Sequence, residues 1–264
     1  MKRYIPFIKS DPFVAVVRLQ GAITTGGRGL DDTGLAPVLH KAFKRGKPAA
    51  VALEINCPGG SPVQSSLIAA RIRRLSQETD VPVFAFVEDV AASGGYWLAC
   101  AADEIFVDAC SLTGSIGVIS AGFGLQDAIE RYGVERRVYT AGTSKSMLDP
   151  FREEKPEDVA RLKGWLDDLH ETFIGWVKSR RGAKLADNPD LFTGEVFIGD
   201  KGVQQGLADG IAHLVPEMKR RFGDKTQFRR YGQKKSIFQR FGAAVVNDTI
   251  ASVEDRAAFA RFGL

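Results

Sequence analysis

The chain has 264 residues, 44% of them hydrophobic, with 36 Lys and Arg against 32 Asp and Glu for a formal net charge of +4. That apolar content suffices for one substantial core and excludes a largely disordered chain, while the lack of any 18-residue apolar run excludes a membrane-spanning helix. Cys57, Cys100 and Cys110 show no paired metal spacing, so reduced, buried thiols are expected, with no metal and no other cofactor.

Taken in chain order, residues 1–12 (MKRYIPFIKSDP) carry the charge of a signal peptide. Their apolar stretch is broken by Pro6 and Lys9 and is too short for one, so an N-terminal extension without a membrane anchor and a cytoplasmic protein are expected. A strand is predicted over 13–19, a helix over 35–44 and a buried apolar strand over 49–55. The last breaks at Asn56, Cys57 and Pro58 into Gly59 and Gly60 before a helix rich in Ala, Ile and Arg. A Pro-Gly-Gly turn after a core strand offers backbone N–H groups with no side chain in the way, as an oxyanion hole requires; it is equally the make-up of a tight strand-to-helix loop.

A further strand over 81–87 runs to Glu88, and EDVAASGGYW then places Ser93 between that strand and a helix beginning SGGYW. Small neighbours let a substrate approach, and the free N–H groups of a helix start favour an anion. A nucleophile would sit here. In SLTGSIGVIS, Ser115 stands after a glycine, where its hydroxyl could hold a lysine amine or merely shape a turn. After an apparent strand over 134–140, YTAGTSKSMLDPF carries Lys145 in a loop of small polar residues. The segment 156–181 then places Val159, Leu162, Leu166, Leu169, Phe173, Trp176 and Val177 at helical spacing, a packing stripe. Strands separated by crossover helices imply an α/β fold with a mainly parallel sheet covered on both faces.

A serine hydroxyl attacks nothing at neutral pH unless a base takes its proton. His40, His170 and His213 show no acidic partner at a recognisable spacing, whereas a lysine serves once burial lowers its pKa, which makes Lys145 the candidate base. A loop lysine is otherwise a solvated surface charge. Cys57, a rival nucleophile, has no adjacent base.

From 219 to 240 nine Lys and Arg face one acid, Asp224, with Phe222, Phe228, Tyr231 and Phe238 interleaved and Phe241 just beyond. A basic, aromatic-bearing tail over 218–264 suits peripheral contact with an anionic membrane or docking on a neighbouring subunit. The lack of any RNA- or DNA-binding motif argues against nucleic acid. Asn247 or Asp248 caps a predicted last helix over 249–262.

Together INCPGGS, DVAASGGYW, TGSIGV, AGTSKS and TGEVFIGDKGVQQGLADGI, in that order over about residues 12–215, resemble the signal peptide peptidase A family of serine-lysine peptidases, within the Clp protease/crotonase-like fold group. Cys57 stands where that family usually has serine, and 147–151 match it more loosely. The resemblance implies a peptidase domain over 13–217, with Ser93 as nucleophile, Lys145 as general base, Ser115 orienting the lysine, and Gly60 and Gly94 as oxyanion donors. It also implies an extended peptide substrate. With one copy of each motif and no internal repeat, it further implies a ring-like homo-oligomer in which Lys145 of one subunit meets Ser93 of the next. The alternatives are an inactive crotonase-fold scaffold and a coenzyme A thioester enzyme, neither of which needs a serine-lysine pair.

Overall fold

The computed structural model describes residues 11–25, 29–142, 144–232 and 256–264. It divides into two units, Gly117–Phe173 and the rest of the chain.

The larger unit is built on one sheet of order β6-β5-β3-β2-β1-β8, with β4 paired to β3 and β7. Its centre is β2 (Ala50–Cys57), buried along all eight residues, as a strand covered on both faces must be. β1 (Phe13–Gln20) and β3 (Val83–Ala92) flank it in parallel, joined through α1 (Asp32–Lys44) and α2 (Pro62–Thr79). Asp31 caps α1 by accepting from Gly34 N–H at 2.8 Å, and Ser61 with Pro62 opens α2. The pairing of β2 with β3 shifts register between Ile55 and Cys57, where β2 turns into its glycine loop.

β3 serves two neighbours in succession. Its first half pairs with β4 (Glu104–Val107), and its second half, Val90 to Ala92, pairs in parallel with β5 (Leu112–Gly114). β6 (Val196–Ile198) closes the far side of β5 in antiparallel, α6 (Asp200–Gln204) follows it, and β7 (Gly210–Ile211) lies beside β4. The short α3 (Gly94–Ala99) leaves the end of β3.

The basic segment is part of the body, which corrects the expectation of a tail from residue 218. α7 (Leu214–Phe222) buries Leu214 and Met218 on the sheet against Val14, Val16, Ala52, Phe84, Phe86 and Phe106, and β8 (Gln227–Tyr231) pairs in parallel with β1. Arg221 bridges Glu104 at 2.5 Å and Glu217 at 2.6 Å, its guanidinium 4.6 Å from the centre of the Phe84 ring. Arg230 pairs with Glu54, and Arg229 lies over Phe13. A chain with acids inside the body and arginines in its last segment closes on itself through these pairs. Lys234, Lys235, Arg240, Phe238, Phe241 and most of the predicted last helix lie outside the described residues, of which 256–260 are helical.

The smaller unit holds α4 (Gln126–Arg131) and the first turns of α5 (Pro156–Arg181), whose end, from Ile174, belongs to the larger unit. The strand expected over 134–140 is absent: among the described residues the segment has no ladder partner, and Val134 and Tyr139 are exposed, Tyr139 at 90%. Arg136 pairs with Asp149 and lies over Phe151, and Leu125 N–H donates to Pro150 O at 2.7 Å. Ile119, Phe123 and Tyr132 are also exposed.

The hydrogen bonds from Arg220, then those from Arg221, hold the Glu217 carboxyl down at about 2, from 4.5. Its folded pKa lies below its unfolded one, so its contribution is complete above about pH 4.5 and is lost as pH falls towards 2. Glu217→Gln should lower unfolding free energy at pH 7 by about 1–2 kcal/mol and flatten the acid-side loss, read from urea midpoints between pH 7 and pH 2. Parallel pH profiles for the two proteins would contradict this.

Candidate active site

Ser93 follows β3 and opens α3 with φ 53° and ψ −123°, a conformation L-residues rarely adopt. It is held from both sides. Its N–H donates to Gly114 O at 2.9 Å, and its own carbonyl accepts from Trp97 N–H at 3.0 Å in the first turn of α3. The side chain is half-buried, reachable from solvent at a turn whose other residues are packed away.

The register of β3 and β5 sets Ala92 opposite Gly114, so Ser93 and Ser115 leave adjacent strand ends side by side. Ser115 also has a positive φ, 51°, and its N–H donates to Glu195 O at 2.7 Å. Two serines on neighbouring strand ends both have positive φ, which concentrates backbone strain at this corner.

The Pro-Gly-Gly loop after β2 meets the same elbow. A methyl on Gly59 would lie 2.8 Å from Ser93 Cβ, one on Gly60 2.0 Å from Ile23 O, and one on Gly94 3.4 Å from Gly60 N. Glycine is thus required at Gly59 and Gly60, where backbones touch, while Gly94 is closed in first by the Ser65 side chain. Ile23 N–H donates to Gly59 O and Ser61 N–H to Ile23 O, which flanks Gly60 and leaves its own N–H out of that ladder. Gly94 N–H is the first amide of α3, where no carbonyl lies one turn earlier. Two amides therefore stand beside the serine.

Ile23 and Ser65 belong to this corner with Gly59 and were not singled out from the sequence. Ser65 is fully buried, donates to Ser61 O at 2.8 Å, and its Oγ would lie 2.5 Å from a methyl on Gly94. The pairing of PGG with SGG, one pair of glycines at each of two neighbouring strand ends, was the available signal.

Lys145 lies in the smaller unit, in a run of turns after Gly142, to whose carbonyl its N–H donates at 3.2 Å. Its side chain is exposed among the described residues. Four of the five proposed site residues, Ser93, Ser115, Gly60 and Gly94, share the larger unit; Lys145 does not.

The histidines and cysteines give two corrections. His213 has an acidic partner after all, with Nε2 2.8 Å from Asp108 Oδ2, a pairing over 105 positions that no local spacing reveals. The pair lines a cavity of about 360 Å³ with Glu54, Glu88 and Cys110, and Ser93 is not among its lining residues. Cys57 and Cys100 are buried, and burial pushes the Cys100 thiol up to about 12, which keeps it inert; Cys110, expected to be buried, is exposed. Among the described residues no group of His, Cys, Asp and Glu could hold a metal ion.

A strained serine at a strand-to-helix elbow, with glycine amides beside it, is the arrangement of a hydrolase nucleophile. The sequence profile of peptidase family S49 matches residues 76–221, more than half of the chain, and the chain belongs to that family. It is 44% identical over 286 aligned positions to the Na(+)/H(+) antiporter NhaA of Brucella melitensis, spanning 100% of this chain and 39% of that protein. It is 30% identical over 204 positions to protease 4 of Haemophilus influenzae, spanning 75% of this chain and 32% of that one. The chain thus covers well under half the length of these two relatives. Among solved structures, the 1510-N membrane-bound stomatin-specific protease, as a lysine-to-alanine mutant with a substrate peptide, superposes with a TM-score of 0.55 at 15% identity, covering 92% of this chain and 100% of that one. The resemblance to signal peptide peptidase A and the Clp protease/crotonase-like fold is borne out.

If Ser93 is strained, Ser93→Gly should raise unfolding free energy by about 1 kcal/mol in urea titrations, since glycine adopts this conformation freely, whereas Ser93→Ala should give no such gain. A glycine variant less stable than the alanine variant would contradict the strain.

Proposed function

We propose that the chain is a serine peptidase that cleaves extended peptides, such as signal peptide remnants or cytosolic polypeptides, through an acyl-enzyme. Ser93 is the nucleophile, Lys145 the general base, Ser115 the residue that orients the lysine amine, and the N–H groups of Gly60 and Gly94 the oxyanion donors. The observation that carries this reading is the conformation of Ser93, strained and pinned beside two glycine amides.

In the reaction, the neutral lysine amine takes the proton of Ser93 as Oγ adds to the scissile carbonyl, and the two amides receive the developing oxyanion. Collapse breaks the C–N bond, and the lysine returns its proton to the leaving amine. Water, deprotonated by the same amine, then hydrolyses the ester and frees Ser93.

The active form is a homo-oligomer in which Lys145 of one copy serves Ser93 of another. Two features of the smaller unit support this. Lys145 is exposed there, and Ile119, Phe123, Tyr132 and Tyr139, large apolar side chains left exposed, precede it in sequence. Burial against a neighbouring copy would desolvate the amine, which is what a lysine base requires. The proposed setting is the cytoplasm, at a membrane surface; its membrane part is supported by the Brucella relative, which bears an ion antiporter's name and contains a segment like this chain. No helix among the described residues is long and apolar enough to cross a membrane.

Ser93→Ala and Lys145→Ala should each fail to react with a fluorophosphonate. Mixing the two, unfolded and refolded together, should restore labelling of the Lys145→Ala chain to about a quarter to a half of the wild-type level, since its Ser93 then meets an intact lysine. A mixture as unreactive as its components would overturn the shared site.

A further inference from the structure

The nucleophile's helix is clasped at its far end by the last turns of α5. α3 has only six residues, so its C-terminal carbonyls lie within about 10 Å of Ser93 along the helix axis. Every carbonyl from Tyr96 to Ala102 has a donor. Cys100 N–H serves Tyr96 and Leu98, and Ala102 N–H serves Ala99. The remaining four are taken by side chains. Trp176 Nε1–H donates to Trp97 O at 3.1 Å, Arg180 Nε to Cys100 O at 2.8 Å, Arg180 Nη2 to Ala102 O at 2.9 Å, and Arg73 Nη1 to Ala101 O at 3.2 Å. The Trp176 ring also stacks on Trp97, with centroids 6.2 Å apart.

The segment after α3 closes back on the strand that precedes it. Asp103 N–H donates to Val83 O at 2.8 Å, and Asp103 Oδ2 accepts from Val83 N–H at 2.9 Å, at the start of β3. Arg73 holds the other oxygen of Asp103 at 2.7 Å, with Arg180 3.5 Å away. The chain from Val83 through Ser93 to Asp103 is therefore a closed loop whose strained point is Ser93 and whose clasp is Arg180, Trp176 and Arg73.

We propose that Arg180 and Trp176 are positioning residues for Ser93. A positive-φ serine persists only where its surroundings over-determine it. The sheet fixes Ser93 on the strand side through Gly114, but on the helix side one turn of α3 has little cohesion of its own. The guanidinium of Arg180 bridges two carbonyls at once, a geometry lysine cannot reproduce. Slackening the clasp would let α3 rotate, relax Ser93 towards ordinary backbone and shift Gly94 N–H, which the serine's reactivity would register.

This inference rests on Ser93 being a nucleophile, and its test separates the two. The second-order rate of fluorophosphonate labelling is measured from pH 6 to pH 10 for the wild type, Arg180→Lys, Trp176→Phe and, as a control, Val16→Ala, a core variant remote from α3. Arg180→Lys should lower the plateau rate by roughly 10- to 100-fold and Trp176→Phe by less, both without moving the midpoint of the pH profile, because the base is untouched. Val16→Ala should label at the wild-type rate even if its melting temperature falls as far. Variants labelled at the wild-type rate, or a control slowed as much as they are, would overturn the positioning role while leaving the nucleophile intact. A wild type that does not label at all would overturn the peptidase reading and this inference with it.

Discussion

Everything at the candidate site depends on one backbone constraint, the left-handed turn at Ser93. A residue at φ 53° and ψ −123° does not stay there unaided; the strain is of order 1–3 kcal/mol and has to be opposed by fixed neighbours. The neighbours are visible: Gly114 on β5 takes the serine's N–H, Trp97 binds its carbonyl, and Gly59 comes so close that no side chain fits there. The proposed chemistry rests on that placement, since the same turn that exposes the hydroxyl also leaves the amides of Gly60 and Gly94 beside it.

The rest of the larger unit explains how such a turn is afforded. β2 is buried along its whole length, and β1 and β3 extend that core on either side, so the loops at their ends are carried on a rigid sheet. β3 changes partner from β4 to β5 along its length, and the change brings Ser115 beside Ser93 at the point where the strand ends. On the α7 side, the arginines of the last segment join the sheet as countercharges to Glu54, Glu104 and Glu217. In the smaller unit Phe123, Tyr132, Tyr139 and Trp165 are exposed.

Much of this was legible in the sequence. The strand over 49–55, the PGG and SGG turns and the crossover helices follow from local pattern, and the order of five motifs led to the family. What was not legible arises from contacts between distant residues. The basic segment read as a tail because its countercharges lie 117 positions (Arg221 to Glu104) and 176 positions (Arg230 to Glu54) away in sequence. His213 looked unpartnered for the same reason. The segment 134–140 has strand-like composition but no partner strand among the described residues, and composition alone cannot supply one. Lys145 is a loop lysine in sequence and an exposed one in structure; its proposed role rests on the family motif and not on its surroundings.

The most direct test of the central claim is to find which atom carries the adduct when the assembled protein is treated with a fluorophosphonate, by digestion and peptide mass spectrometry. The account predicts a single phosphonylated residue, Ser93. An adduct on Ser115 or another serine, or no adduct on an intact and folded assembly, would contradict it.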